Sequence, residues 1–399
     1  MSILLGVPTV ELGDARITYH VAVSGFQGPQ SLWFSVPLEA ASLVSTRADA
    51  ALVTLLMPAM AAGRDLVIEG PVTDELAWSL QGEAQDVLRG VRPEIARVGV
   101  DVRHPVPAHN TPTGVATGYS AGVDSYATLA RHHFAADVPE SLRVTHLLYN
   151  NVGSHGHGDS GRSLYRNRLE LLRPNALSTG LPLIDVDSNT DEFYLAVGLG
   201  FQQSHTMRNA AVVHLLSAGV RHYFYASSVP YEEATANPRL DLGFADAILL
   251  PLLSTRSLVL RSSGSDMDRS AKTAVVAGVP HTYERLDVCI ASTDGTNCSE
   301  CWKCQRTMLT LDLLGELDRY SAVFGTPRNP KWREHQLALA LTQDLPSART
   351  LVKLYAERVG IPLRLRAWVR VRRIGGSAGQ FVRRTARYGR RRVGGIFGR

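Results

Sequence analysis

TGYSAGVDSYATLARH, residues 117–132, joins a short apolar run to a helix-spaced one. Its upstream end completes GVATGYS, a short apolar run that reads as a buried strand. From Val123 the apolar residues recur at helical spacing, which predicts a helix to about residue 133. A strand that turns into a helix through Ser, Ala and Gly opens a strand–helix–strand unit, and ligands bind there at the carboxyl ends of strands. Ser120 stands at such an end. Gly122 allows close backbone approach or a positive φ. Asp124 and Ser125 open the helix, where free N–H groups favour an anion. No Gly-Lys-Ser/Thr follows, so the stretch is a phosphate cradle without the Walker lysine. An ordinary strand-to-helix turn with a Ser or Asp cap accounts for the same residues.

Strands and helices alternate after the Pro-rich edge PVPAHNTPTG: VTHLLYNNV, then the helix in RSLYRNRLELLRPNALSTG, PLIDVDS, the helix TMRNAAVVHLLSAGV, and HYFYASS. This alternation predicts a parallel, doubly wound α/β sheet. Upstream, ARITYHVAV and SLWFSVPL alternate as half-buried strands do, RADAALVTLLMPAMAA and TDELAWSLQGEAQDVLRGV have helical spacing, and DLVIEG and RVGVDVRHPV read as further strands. The expected organisation is an α+β domain over residues 1–110, an α/β domain over 111–325, a helical extension over 326–361 and a tail over 362–399.

The net charge of +5 is unevenly spread. Residues 362–399 hold twelve Arg and no Lys, Asp or Glu, and without those twelve the charge is −7. A mildly acidic body argues against a broad nucleic-acid face, while the tail suits anionic lipid or RNA. No apolar run reaches the roughly 18 residues that span a bilayer. MSILLGVPTVELGD lacks a basic n-region, so a cytoplasmic protein is expected.

The four cysteines, Cys289, Cys298, Cys301 and Cys304, all lie within CIASTDGTNCSECWKC, spaced C-x8-C-x2-C-x2-C. Such clustering in a cytosolic chain reads as metal rather than disulfide. Four thiolates suit tetrahedral zinc (Zn2+), and a set with no open position is structural. An iron–sulfur cluster uses the same ligand type. Four free buried thiols are the plain alternative.

Residues 120–125, Ser-Ala-Gly-Val-Asp-Ser, resemble the SGGxDS signature of the PP-loop ATP pyrophosphatases, with Ala121 where that family usually has Gly. The cysteine spacing, followed by Gln305 and Arg306, looks like the zinc site of the 7-cyano-7-deazaguanine synthases within that superfamily. TMRNAAVVHLL resembles their Arg-Asn helix start, and SDMDRSAKTAVVAG their acidic-to-Lys helix after the last core strand. The resemblance covers residues 115–314, about half the chain. It implies a HUP-like fold that binds ATP and a magnesium ion (Mg2+). Ser120, Ala121, Gly122, Val123, Asp124, Ser125, Arg208 and Asn209 would hold the nucleotide. Asp124, Arg208 and Lys272 would be catalytic. Without the resemblance, Arg208 reads as a solvated helix-start charge and Lys272 as an exposed helical lysine.

The chemistry so implied is attack of a carboxylate on the α-phosphorus of ATP, releasing pyrophosphate and leaving an acyl adenylate. Ammonia would carry the adenylate to an amide or nitrile. Proton removal beside the activated carbonyl would resemble the muramoyl-peptide glutamate epimerases. The extra N-terminal domain suits a larger acid, such as a peptide. A tRNA-modifying PP-loop enzyme and a nucleotide-binding module without turnover are the competing classes. His155 and His157, in the Gly-rich loop after the second strand, are candidates for metal binding or proton transfer. His205, Asp187 and Glu232 lie near expected strand ends, as substrate-side candidates.

Overall fold

RITYHVAVS alternates, and in the strand it forms, Ile17, Tyr19, Val21 and Val23 are buried while the residues between them are not. GVATG does not alternate, and its first four residues are all buried, as in a strand covered on both faces. The computed structural model, which describes residues 2–108, 110–292, 296–343 and 345–363, joins both kinds of strand in one sheet.

The strands are β1 Ile3–Leu5, β2 Thr9–Leu12, β3 Arg16–Ser24, β4 Ser31–Pro37, β5 Leu66–Thr73, β6 Val100–Val106, β7 Gly114–Gly118, β8 His146–Asn151, β9 Leu183–Ser188, β10 Val220–Ala226 and β11 Val259–Ser263. Their order is β11-β10-β7-β8-β9-β4-β3-β1-β5-β6, with β2 paired to β3. The result is a large, mostly parallel mixed sheet in an α/β fold. β7 to β11 are parallel to one another. β4 joins them antiparallel to β9, with Phe34 opposite Ser188 and Ser35 opposite Asp187.

The chain steps outward from β7 to β8 to β9, then returns to the other side of β7 as β10 and β11. The helices separate accordingly. Val123–Leu129 and Gly158–Leu177 pack in one apolar cluster with the Trp302–Leu314 helix. His205–Leu215 and Asp246–Leu252 pack in the other, with the Asp49–Ala62 helix. Where strand order reverses, helices leave neighbouring strands in opposite directions, and a crevice opens beyond the strand ends. Here that place is between the ends of β7 and β10.

The first helical stretch after β5 breaks at Gly82 into Asp74–Gln81 and Glu83–Val91. Residues 326–361 form helices Trp332–Thr342 and Pro346–Arg358, which pack against the Trp302–Leu314 helix. No helix among the described residues is long and apolar enough to cross a membrane. The tail expected over residues 362–399 lies outside the described residues beyond Leu363.

Candidate functional site

Residues 120–125 form the turn between β7 and the Val123–Leu129 helix. Ala121 takes φ +55, the left-handed region that glycine occupies most easily, and its side chain is buried. Gly122 precedes the helix, and a Cβ there would come within 3.4 Å of the Asp287 carbonyl. The Asp287 N–H donates to the Ala121 carbonyl at 2.9 Å, tying the turn to the cysteine segment. Ser125 Oγ donates to the Gly122 carbonyl at 3.0 Å. Val123 is buried in the apolar core, and Ser120 is exposed.

Two cavities meet at this turn. One, of about 910 Å³, is lined by Gly118, Tyr119, Ser125, Asn150, Asn175 and Asn209 among others. The second, of about 510 Å³, takes Gly122, His205, Arg269, Lys303 and Arg306 into its wall. Ser120, Asp124, Arg168, Tyr225, Asp287 and Cys289 line both.

Asp124 is the focus of a buried cationic cluster. Arg269 Nη1 donates to its Oδ2 at 2.5 Å, and Lys272 Nζ approaches its Oδ1 at 3.4 Å. Lys272, 2 % exposed, also donates to the Ser227 carbonyl. Burial raises the pKa of Asp124, but Arg269 and then Lys272 outweigh it, and the net shift is downward. Burial lowers Lys272, against the pull of Asp124. Arg306 is brought down to about 9, first by burial and then by the charge of Arg269. Its Nη1 donates to Ser347 Oγ at 2.6 Å, while its buried Nε has no partner among the described residues. With Lys303, whose charge also couples to Asp124, four cations gather near this carboxylate, an arrangement that attracts a polyanion. Each Asp124 oxygen already faces a cation, so the residues present do not build a magnesium site of their own.

The four cysteine sulfurs lie within 4.8 Å of one another. Tetrahedral zinc, with Zn–S of about 2.3 Å, would set them about 3.8 Å apart, so the set is compatible with the ion. The surrounding amides suit thiolates. Ala291 and Ser292 N–H groups donate to Cys289 Sγ at 3.4 and 3.3 Å. Cys301 N–H donates to Cys298 Sγ at 3.2 Å, across a turn that places Ser299 at φ +58. Cys304 N–H donates to Cys301 Sγ at 3.5 Å. Cys301 and Cys304 sit at the start of the Trp302–Leu314 helix, between and beside Lys303 and Arg306. A metal there would pin the helix end that carries two of the four cations.

Arg208 lies apart from the cluster. It is 0 % exposed, and its guanidinium donates to Ser204 Oγ, the Val152 and Leu199 carbonyls, and Asp191 Oδ1. It also stacks over Tyr194 at 4.1 Å. This geometry braces the loops after β8 and β9 and puts Arg208 in the wall of neither cavity. Its neighbour Asn209 does line the larger cavity, and its Oδ1 accepts from Asn150 at 2.9 Å.

The two loop histidines diverge. His155 accepts or donates with the Tyr149 hydroxyl at 2.7 Å, and burial, then Arg168, lowers it to about 4. His157 bonds Asp191 instead, at 2.5 Å. Asp187 bonds Arg162 and Asn151, and Glu232 is exposed. His205 reaches the smaller cavity between Tyr225 and Asp241. Arg269, Lys303, Arg306 and Tyr225 were not singled out as site residues by sequence. The signal for the first three is spacing: Arg269 with Lys272, and Lys303 with Arg306, stand three apart on single helix faces.

No family model, curated protein or solved structure matches the chain.

Proposed function

We propose that the chain is an adenylating enzyme of the PP-loop kind, with β7 to β11 as its doubly wound core. On this reading it splits ATP into AMP and pyrophosphate to activate a carboxylate. One observation carries it: the turn at residues 120–125 lies where strand order reverses, and Arg269 and Lys272 pair there with Asp124 while the charges of Lys303 and Arg306 also act on it. A departing pyrophosphate needs such fixed, partly desolvated positive charge. The larger cavity, with its tyrosines, leucines and asparagines, suits a nucleoside. The smaller one suits an acidic substrate held in line with the α-phosphorus. Zinc on the four cysteines would supply rigidity only.

After activation, ammonia would give an amide or nitrile; epimerisation is the second outcome. A module that binds ATP without turnover is favoured by one feature, the double ion pairing of Asp124.

The test incubates the protein with α-labelled ATP and a panel of acids, with and without ammonium, and resolves the nucleotides. AMP is the expected product, lost in Asp124→Ala. ADP as product would falsify the adenylation reading. Solvent deuterium entering the acid selects epimerisation, AMP dependent on ammonium selects amide or nitrile synthesis, and AMP formed with tRNA alone selects RNA modification. Binding of ATP without turnover selects the module.

A further inference from the structure

Beside the cationic cluster lies a polar chain that the adenylation reading does not use. Tyr225, near the end of β10, lines both cavities. Its hydroxyl lies 2.6 Å from His205 Nδ1, and His205 Nε2 lies 2.9 Å from Asp241 Oδ1. The Gly243 N–H donates to the same Asp241 oxygen at 2.8 Å, which fixes the carboxylate behind the imidazole. The His205 and Tyr225 rings are nearly parallel, 4° apart.

We propose that Asp241, His205 and Tyr225 form a donor chain that presents the Tyr225 hydroxyl to an anionic oxygen of the bound adenylate where the two cavities meet. The proposal rests on the nucleotide reading above and adds a donor to it. His205 and Asp241 act through Tyr225 and are positioning residues, although both also line the smaller cavity; Tyr225 lines both cavities.

The direction of donation follows from the charges around His205. Asp241 faces it from the loop before residue 242, and Asp246 from the Asp246–Leu252 helix. Tyr225 faces it from β10, and Arg208 lies on its own helix. Burial opposes a charged imidazole, but the bond to Asp241 and the charge of Asp246 prevail, and its pKa rises. Burial, then Asp246, keeps the Tyr225 phenol protonated. When protonated, His205 donates through Nε2 to Asp241 and through Nδ1 to the Tyr225 oxygen. The phenolic proton is left to point into the cavities. No proton has to leave the protein, so the chain strengthens an existing hydrogen bond rather than transferring charge.

The test uses 5′-O-(N-acetylsulfamoyl)adenosine, an acyl-adenylate stand-in whose charge is constant near neutrality, with ATP as a second probe. Binding is measured by calorimetry across pH, with a melting curve for each variant. Wild-type affinity for the stand-in should fall as pH rises through the His205 transition. Tyr225→Phe should bind about tenfold more weakly below that transition, the loss of one charge-assisted hydrogen bond, and should show no slope. Asp241→Asn should move the transition to lower pH, and His205→Gln should abolish the slope by a second route. Tyr225→Phe or His205→Gln that binds as wild type, or keeps the wild-type slope, overturns the donor chain alone. Wild-type protein that binds neither probe overturns the nucleotide reading, and the chain with it.

Discussion

Replacing Asp124 by Asn removes the one carboxylate between Arg269 and Lys272 and changes little else in shape. Breaking a buried ion pair from one side costs about 3–5 kcal/mol, because the remaining charge is left without a partner. Asp124 keeps 26 % of its side chain exposed, so water carries part of that burden and the expected loss is about 2 kcal/mol. For a chain of this size that lowers the melting temperature by roughly 2 °C. Pyrophosphate replaces the missing negative charge. At a hundredfold excess over its Kd it contributes about 2.7 kcal/mol, enough to offset the loss. The variant should therefore gain more from pyrophosphate than wild type, in which the ligand shares its cations with Asp124. The sign with pH is fixed. Burial raises the Asp124 pKa, but Arg269 and Lys272 more than offset it, so the folded value is depressed. Its contribution is fully present above the unfolded carboxylate pKa of about 4 and is lost as pH falls through the folded value. Melting curves of the two proteins should converge in acid. The assay is thermal unfolding with and without magnesium-free pyrophosphate, with sulfate as control. A variant that melts with wild type at neutral pH, or gains no more from pyrophosphate, refutes the balanced-cluster argument.

The purified protein should carry about one zinc per chain. Cys298→Ser or chelation should lower the melting temperature and also weaken pyrophosphate binding, by freeing the helix end that bears Lys303 and Arg306; absence of metal, or an iron chromophore, excludes the zinc site. Arg208→Lys should cost about 3 kcal/mol, since an ammonium cannot reproduce the four contacts of the buried fork, yet leave ATP affinity of the folded protein within about twofold. A variant that melts normally but loses ATP would return Arg208 to the proposed nucleotide site.

Periodicity made most of the long elements legible, because burial of one strand face or one helix stripe leaves a local pattern. β1 and β2, three and four residues long, are too short to carry one. The antiparallel join of β4 to β9 is a pairing across more than a hundred residues, and no window of sequence contains it. Within the site, the turn and the cysteines were legible because their ligating groups are neighbours in the chain. The cationic cluster was half legible: each i, i+3 pair is visible, but the convergence of two helices on Asp124 is not. Arg208 reads as a solvated charge from its position. Its burial is made possible by backbone carbonyls at Val152 and Leu199, groups that every residue type carries and no sequence pattern reports.

The seam between β4 and β9 bears on how this protein could be dissected or recombined. Asp185, almost fully buried on β9, bonds Arg16 from β3 at 2.8 Å. A fragment beginning near residue 111 would discard that partner and bare a row of β9 backbone groups. Open strand edges of this kind invite pairing with other chains. The first hundred residues thus serve as the shield of the parallel strands' outer edge. An intact chain, rather than a trimmed fragment, is the unit in which the proposed ATP chemistry should be sought.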